Sequence, residues 1–169
     1  MISLFRIDDR MIHGQVVVNW ARAVPCEGLI AVNDAASAVA LLKKSFQSAA
    51  PGKKVFVWSK KEWEEKKDKV LASRDRYFVI TKNAMDMRDL LLDHPFACNL
   101  KEVCVGPCAM QEGSVHIGDN QALNAEEAAA LEELRQAGWS VVFALVKEKP
   151  VGRWEDFRHL FGFADSAVK

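Results

Sequence analysis

The 169-residue sequence carries no excess charge of either sign: 23 Lys and Arg stand against 23 Asp and Glu. A balanced chain has no global field for nucleic acid or an anionic membrane surface, so any basic site must be local. There is no disulfide framework either. Four cysteines, Cys26, Cys98, Cys104 and Cys108, are too sparse for one at this length, and reduced thiols in a cytoplasmic setting are expected. The opening Met1-Ile2-Ser3-Leu4-Phe5-Arg6 is too short an apolar stretch for a secretory signal and meets charge at once. No run approaches a membrane span, so work at a membrane would need spans from another subunit. No G-x-G-x-x-G and no G-x-x-x-x-G-K-S/T occurs, which leaves dinucleotide and P-loop nucleotide binding without support. Repeats, linkers and low-complexity segments are absent. Cys104 and Cys108, with Cys98 upstream, form only a weak zinc pattern with no second pair, so buried thiols and no metal or cofactor are expected.

What remains is a regular alternation of strand and helix. Apolar runs at 2–7, 28–33, 55–59, 77–81, 100–105, 114–117 and 139–146 read as strands. Helical spacing reads at 15–23, 36–49, 60–72, 84–92 and 153–160. Asn124 and Glu127 have the spacing of a capping box that opens a further helix, ended by Gly138. About seven strands and six helices in alternation imply an α/β fold: a single domain over 1–169, with a mostly parallel sheet and helices on both faces. In such sheets ligands meet the carboxyl ends of the strands. The segments to weigh are therefore 7–14, 33–35, 59, 81–83 and 106–110.

The first of these carries the chemistry. Arg6-Ile7-Asp8-Asp9-Arg10-Met11-Ile12-His13-Gly14-Gln15 packs two Arg, two Asp and one His between the first strand and the first helix. A phosphoryl group brings nearly two negative charges and three acceptor oxygens, and Arg meets them with a planar fork of donors. A helix starting near Gly14 or Gln15 would aim free backbone N–H groups at the same place, and Gly14 puts no Cβ in the way. A neutral histidine offers a ring nitrogen as nucleophile, and an Asp accepting the other ring N–H would fix its tautomer. Phosphoryl transfer needs positioning and charge more than covalent help, so a His and two Arg suffice without metal. The plainer readings are a structural His13 near a helix start and an exposed, ion-paired turn from Arg6 to Arg10. His94, His116 and His159 have no motif around them and are expected on the surface or at caps.

The run Arg6-Ile7-Asp8-Asp9-Arg10-Met11-Ile12-His13-Gly14-Gln15-Val16 resembles the signature of the IIB subunits of the mannose/fructose/sorbose family of the bacterial phosphoenolpyruvate-dependent phosphotransferase system. It departs only by Met11, at a position usually Leu. The resemblance continues through Trp20, Val32-Asn33-Asp34 and Ala49-Ala50-Pro51, and covers essentially the whole chain. It implies that His13 is phosphorylated through Nδ1, that Arg10 contacts the phosphoryl group and that Arg6 lines the same pocket. It also implies a seven-stranded, mostly parallel sheet. Asp34, at a strand end, is expected to orient the first loop, with Asp8, Asp9, Gly14 and Gln15 in support. The implied partners are a phosphorylated IIA protein, membrane IIC and IID subunits, and a sugar of mannose, fructose or sorbose type. The implied location is cytoplasmic, at the periphery of the membrane transporter; whether the chain self-associates stays open. One region departs from the family: Cys104-Val105-Gly106-Pro107-Cys108-Ala109-Met110 replaces the usual Asn-Val-Gly-Gly-Met run. This loop is expected to shape the pocket or meet the transporting partner.

Two other readings stand beside this one. A receiver-like signalling domain would share the sheet, the paired acids Asp8 and Asp9, and Thr81 and Lys82, but Ser59 stands where its phospho-acceptor Asp belongs. A degenerate IIB homologue would bind partners without turnover.

Overall fold

The computed structural model describes residues 1–164, so the last five positions of the expected 1–169 span lie outside the described residues. Strand β1 (Ile2–Ile7) leads to helix α1, which has a π-helical turn over Val16–Trp20 and continues as α-helix over Ala21–Ala23. Then come β2 (Gly28–Val32), α2 (Asp34–Ser37), α3 (Ala40–Ala49), β3 (Lys54–Trp58), α4 (Lys60–Ala72), β4 (Tyr77–Thr81) and α5 (Ala84–Leu92). The second half holds β5 (Glu102–Val105), β6 (Val115–Gly118), β7 (Gln121–Leu123), α6 (Ala125–Gln136), β8 (Ser140–Ala144), β9 (Pro150–Arg153), α7 (Trp154–Phe157) and a 3₁₀ turn over Arg158–Phe161.

Side-chain oxygens start the helices where the sequence supplies them. Asn33, Ser59, Asn83 and Asn124 each accept the N3 backbone N–H, and Ser59 and Asn124 complete capping boxes with Glu62 and Glu127. The helix expected over 36–49 is broken at Ala38-Val39, where Val39 turns extended. Two strands were not legible. β7 has three residues, and β9 begins with Pro150 and contains Gly152, a composition that strands tolerate only at an edge.

Seven strands make one sheet in the order β3-β2-β4-β1-β5-β8-β9. The first six are parallel, and β9 adds an antiparallel edge to β8. β6 and β7 form a separate antiparallel ribbon. The fold is α/β, as the alternation implied. Strand periodicity sorts the core into two halves. Phe5 and Ile7 of β1 join Val79, Val105 and Phe143 with residues of α4 to α7; Leu4 joins Leu29, Phe78, Ile80 and Cys104 with residues of α1 to α3. Arg6 falls, by alternation, on the α1 side.

The topology creates one privileged crevice. β1 and β5 are neighbours, yet the chain leaves β1 toward α1 on one face and leaves β5 toward α6 on the other. Loops that part in this way open a cleft at the carboxyl ends of the two strands.

On the far side of the sheet, buried Glu132 of α6 accepts from Trp154 Nε1 at 2.8 Å and from Arg158 Nε at 3.0 Å. The Arg158 guanidinium, then the burial that opposes it, govern its carboxyl, which lies below the ordinary glutamate value. Breaking a buried pair of this kind costs about 3 kcal/mol. Glu132→Ala is expected to lower the urea-unfolding free energy by that order at neutral pH. A carboxyl with a lowered folded-state pKa stabilises above its unfolded value of about 4.3 and loses that contribution as pH falls through the folded one. The gap between native and variant should therefore shrink at acidic pH; a gap constant down to acid would contradict the ion pair's role.

Candidate functional site

The segment between β1 and α1 is built around the carboxylate of Asp8, which is fully buried. Its backbone N–H still belongs to the sheet, donating to Thr81 O at 2.9 Å. One carboxylate oxygen, Oδ1, accepts the Arg10 backbone N–H at 3.0 Å, a side-chain turn of the kind Asp favours. Oδ2 accepts from Arg6 Nε at 3.3 Å and faces His13 Nε2 at 2.9 Å. The turn closes with Met11 N–H donating to Asp8 O at 2.9 Å. Met11 takes a left-handed φ of 55°, a conformation that costs a non-glycine residue about 1 kcal/mol or more. The Met11 and Ile12 side chains, both buried in the α1-side core with Val16 and Trp20, hold the strained turn in place.

His13 is thereby fixed at both ring nitrogens. Nε2 meets Asp8, and Nδ1 lies 3.1 Å from Arg10 Nη2. An arginine can only donate, so Nδ1 must offer its lone pair and Nε2 must carry the proton that Asp8 accepts. The ring sits at the foot of α1, whose first-turn N–H groups have no intrahelical partners. Gly14 is exposed, with nothing within 4 Å of where a Cβ would stand, so the approach it leaves clear is open to an incoming group.

A pocket of about 630 Å³ adjoins the loop that carries His13, in the crevice between β1 and β5, although His13 itself does not line it. Asp9, Arg10 and Gln15 form one wall. The loop after β5, from Pro107 to Met110, forms another, and the ribbon adds His116, Asn120 and Gln121. Asp9 is tied to the β5 loop by its N–H, which donates to Pro107 O at 3.0 Å. The loop that departs from the family pattern thus shapes this pocket. Its thiols are not reactive groups: burial raises Cys104 to about 11 and pushes Cys108 up further. Glu127, near Asp9, is also pushed upward by burial.

Two expected residues stand elsewhere. Asp34 does not reach the first loop. Its carboxylate accepts the Lys60 N–H at 2.8 Å, joining the ends of β2 and β3, because β4 lies between β2 and β1 in the sheet. Arg6 does not face the pocket; it is 1% exposed and lies under the loop. Its Nη1 donates to Cys104 Sγ at 3.2 Å and Ala144 O at 3.1 Å, because alternation along β1 turns it into the α1-side core. No local pattern marked His116, Asn120 and Gln121, which reach the pocket only through the ribbon. A glycine just past β5, Gly106, was visible but not its contact with Arg6.

The comparisons with known proteins fall on the same arrangement. The family model described as the sorbose subfamily IIB component of the phosphotransferase system matches residues 2–167. The chain belongs to that family. It is thus a IIB component, a phosphotransferase of the sugar phosphotransferase system, and the receiver-like reading is set aside. A sorbose-specific EIIB component of Lacticaseibacillus casei is 26% identical over 151 residues, 89% of this chain and 90% of that one. A mannose-specific EIIAB component of Escherichia coli is 24% identical over 89% of this chain, which spans 46% of that protein. The solved IIBSor domain of the sorbose permease from Klebsiella pneumoniae superposes with a TM-score of 0.80 at 22% identity, covering 98% of this chain and 99% of that one. Among the described residues of this IIB component, no helix is long and apolar enough to cross a membrane.

If Asp8 sets the His13 tautomer, Asp8→Asn should slow phosphorylation of the protein at least about tenfold, roughly 1.4 kcal/mol of barrier. Whichever way the amide turns, its NH2 meets a donor: the Arg10 backbone N–H on one side, Arg6 and His13 on the other. Single-turnover labelling at the native rate in Asp8→Asn would show that the carboxylate is not needed.

Proposed function

We propose that this IIB component carries a phosphoryl group on His13 Nδ1, received from a phosphorylated IIA protein and passed to a sugar of mannose, fructose or sorbose type brought by membrane IIC and IID subunits. The observation that carries the reading is the fixed ring: Nδ1 unprotonated and facing Arg10, Nε2–H on buried Asp8. In the first step the Nδ1 lone pair attacks phosphorus and the donor's phosphorus–nitrogen bond breaks, its electron pair staying on the donor imidazole. No proton needs to move. Positive charge that grows on the His13 ring faces the Asp8 carboxylate through Nε2–H. Arg10 moves from the nitrogen it now covers to the phosphoryl oxygens, where its fork of donors meets them in pairs. In the second step a sugar hydroxyl attacks the same phosphorus, the Nδ1–phosphorus bond breaks with its pair returning to the ring, and the hydroxyl proton passes to a base on the sugar side.

A protein donor suits the open crevice. Gly14 is open to solvent and the pocket is lined by Arg10 and Gln15 on either side of His13, so a partner's imidazole can approach the loop that carries the ring. The EIIAB relative joins, by its name, an EIIA to an EIIB, which supports a IIA donor here. The two partners use one histidine in turn, so each contact should be transient and modest in area. The whole chain then acts as one IIB unit on the cytoplasmic side of the membrane.

The test is to mix the protein with a phosphorylated IIA protein, and separately with Mg-ATP alone, and to locate label by mass spectrometry. Acid-labile label on His13 is expected from IIA and none from ATP. His13→Ala should take no label, and Arg10→Lys, which keeps charge but loses the fork, should be slowed at least about tenfold. Rapid labelling by ATP alone, or phosphate retained in His13→Ala, would overturn the reading. Failure of every cognate IIA to label His13 would favour the degenerate homologue.

A further inference from the structure

Arg6 is a buried cation whose surroundings come from four separate segments. Its Nε donates to Asp8 Oδ2 at 3.3 Å, and its Nη1 to Cys104 Sγ of β5 and to Ala144 O at the end of β8. Nη2 lies 3.5 Å from Leu145 O. The ring of Trp20 covers one face, its centroid 4.6 Å from Cζ, and Trp20 is itself fastened by Nε1–H donating to Leu145 O at 2.8 Å. Gly106 presses on the guanidinium from the β5 loop. A Cβ built on Gly106 would stand 2.3 Å from Arg6 Nη2 and 2.5 Å from Cζ, closer than any real Cβ contact.

These contacts do unequal work. Cys104, Ala144 and Leu145 offer neutral acceptors, so among the described residues the carboxylate that the guanidinium bonds is that of Asp8. The π-helical turn over Val16–Trp20 inserts one residue into α1 and so rotates the later residues by roughly 100° about the helix axis. Trp20 closes this turn, and its ring lies over Arg6. We propose that Gly106 and Trp20 are positioning residues for phosphoryl transfer, gripping the Arg6 guanidinium between them so that Arg6 fixes the Asp8 carboxylate and Asp8 fixes the His13 tautomer. A carboxylate released from Arg6 can rotate away from Nε2. The imidazole can then turn over and present a protonated nitrogen to the pocket.

The inference rests on the reading of His13 as phosphoryl acceptor, but its test reads the ring directly. In protein labelled with ¹⁵N-histidine, the two ring nitrogens of His13 report which one is protonated; they are assigned by their loss in His13→Gln. The native protein should show one tautomer, protonated at Nε2. Gly106→Ala should give a mixture of tautomers and slow labelling from phosphorylated IIA at least about tenfold, with the signals of His94, His116 and His159 unmoved. Adding Arg6→Lys to Gly106→Ala removes the fork that the new methyl meets and keeps the charge, and should restore part of the Nε2–H population. Should Gly106→Ala not fold, Trp20→Leu frees the other face of the guanidinium and is read in the same way. A native tautomer and native rate in the folded variant would overturn the inference. Phosphate found elsewhere than His13 would overturn the functional reading while leaving the tautomer result intact.

Discussion

A fully buried carboxylate is the constraint on which this site depends. Asp8 has given up water entirely, and a buried charge without partners costs several kcal/mol. Its oxygens are met by the Arg10 backbone, the Arg6 guanidinium and the His13 ring. The same three interactions that make the burial tolerable also fix the loop's shape, the direction of the nucleophile and the position of Arg10. Stability of the loop and readiness of the site are one property here.

The sheet explains why this can occur only where it does. β1 lies inside the sheet, flanked by β4 and β5, so its carboxyl end is walled by two other strand ends. Arg6 can be buried because alternation turns it inward and because Cys104 and the β8 end supply acceptors. The loop after β5 joins two levels of the site. Gly106 touches the buried support, while Pro107 to Met110 line the open pocket. A chain can therefore vary the pocket side of that loop while the glycine is held by the guanidinium behind it.

Much of this was legible in the sequence, and the failures share a cause. Strand and helix alternation, the loop after β1, and the pairing of His13 with an Asp and an Arg all come from local pattern. Local pattern does not say which strands are neighbours. Asp34 reads as a support of the first loop only while strand order is unknown, and β4 separates the two. Arg6 reads as a pocket residue because the family resemblance places it with Arg10 beside the phosphoryl group. Period-two alternation along Ile2–Ile7 could have turned it inward, since Leu4 and Arg6 share a face. β7 escaped because three residues carry no strand signal of their own, and β9 because its four include Pro150 and Gly152. The ribbon's contribution to the pocket was invisible because β6 was legible without its partner β7.

The most direct measurement is the nitrogen that carries the phosphorus. Protein labelled with ¹⁵N-histidine and phosphorylated by its IIA partner would be examined for one-bond coupling between ³¹P and the ring nitrogens. Asp8 occupies the side of Nε2, so the coupling should fall on Nδ1 of His13. Coupling to Nε2, or to a nitrogen of any other histidine, would contradict the account.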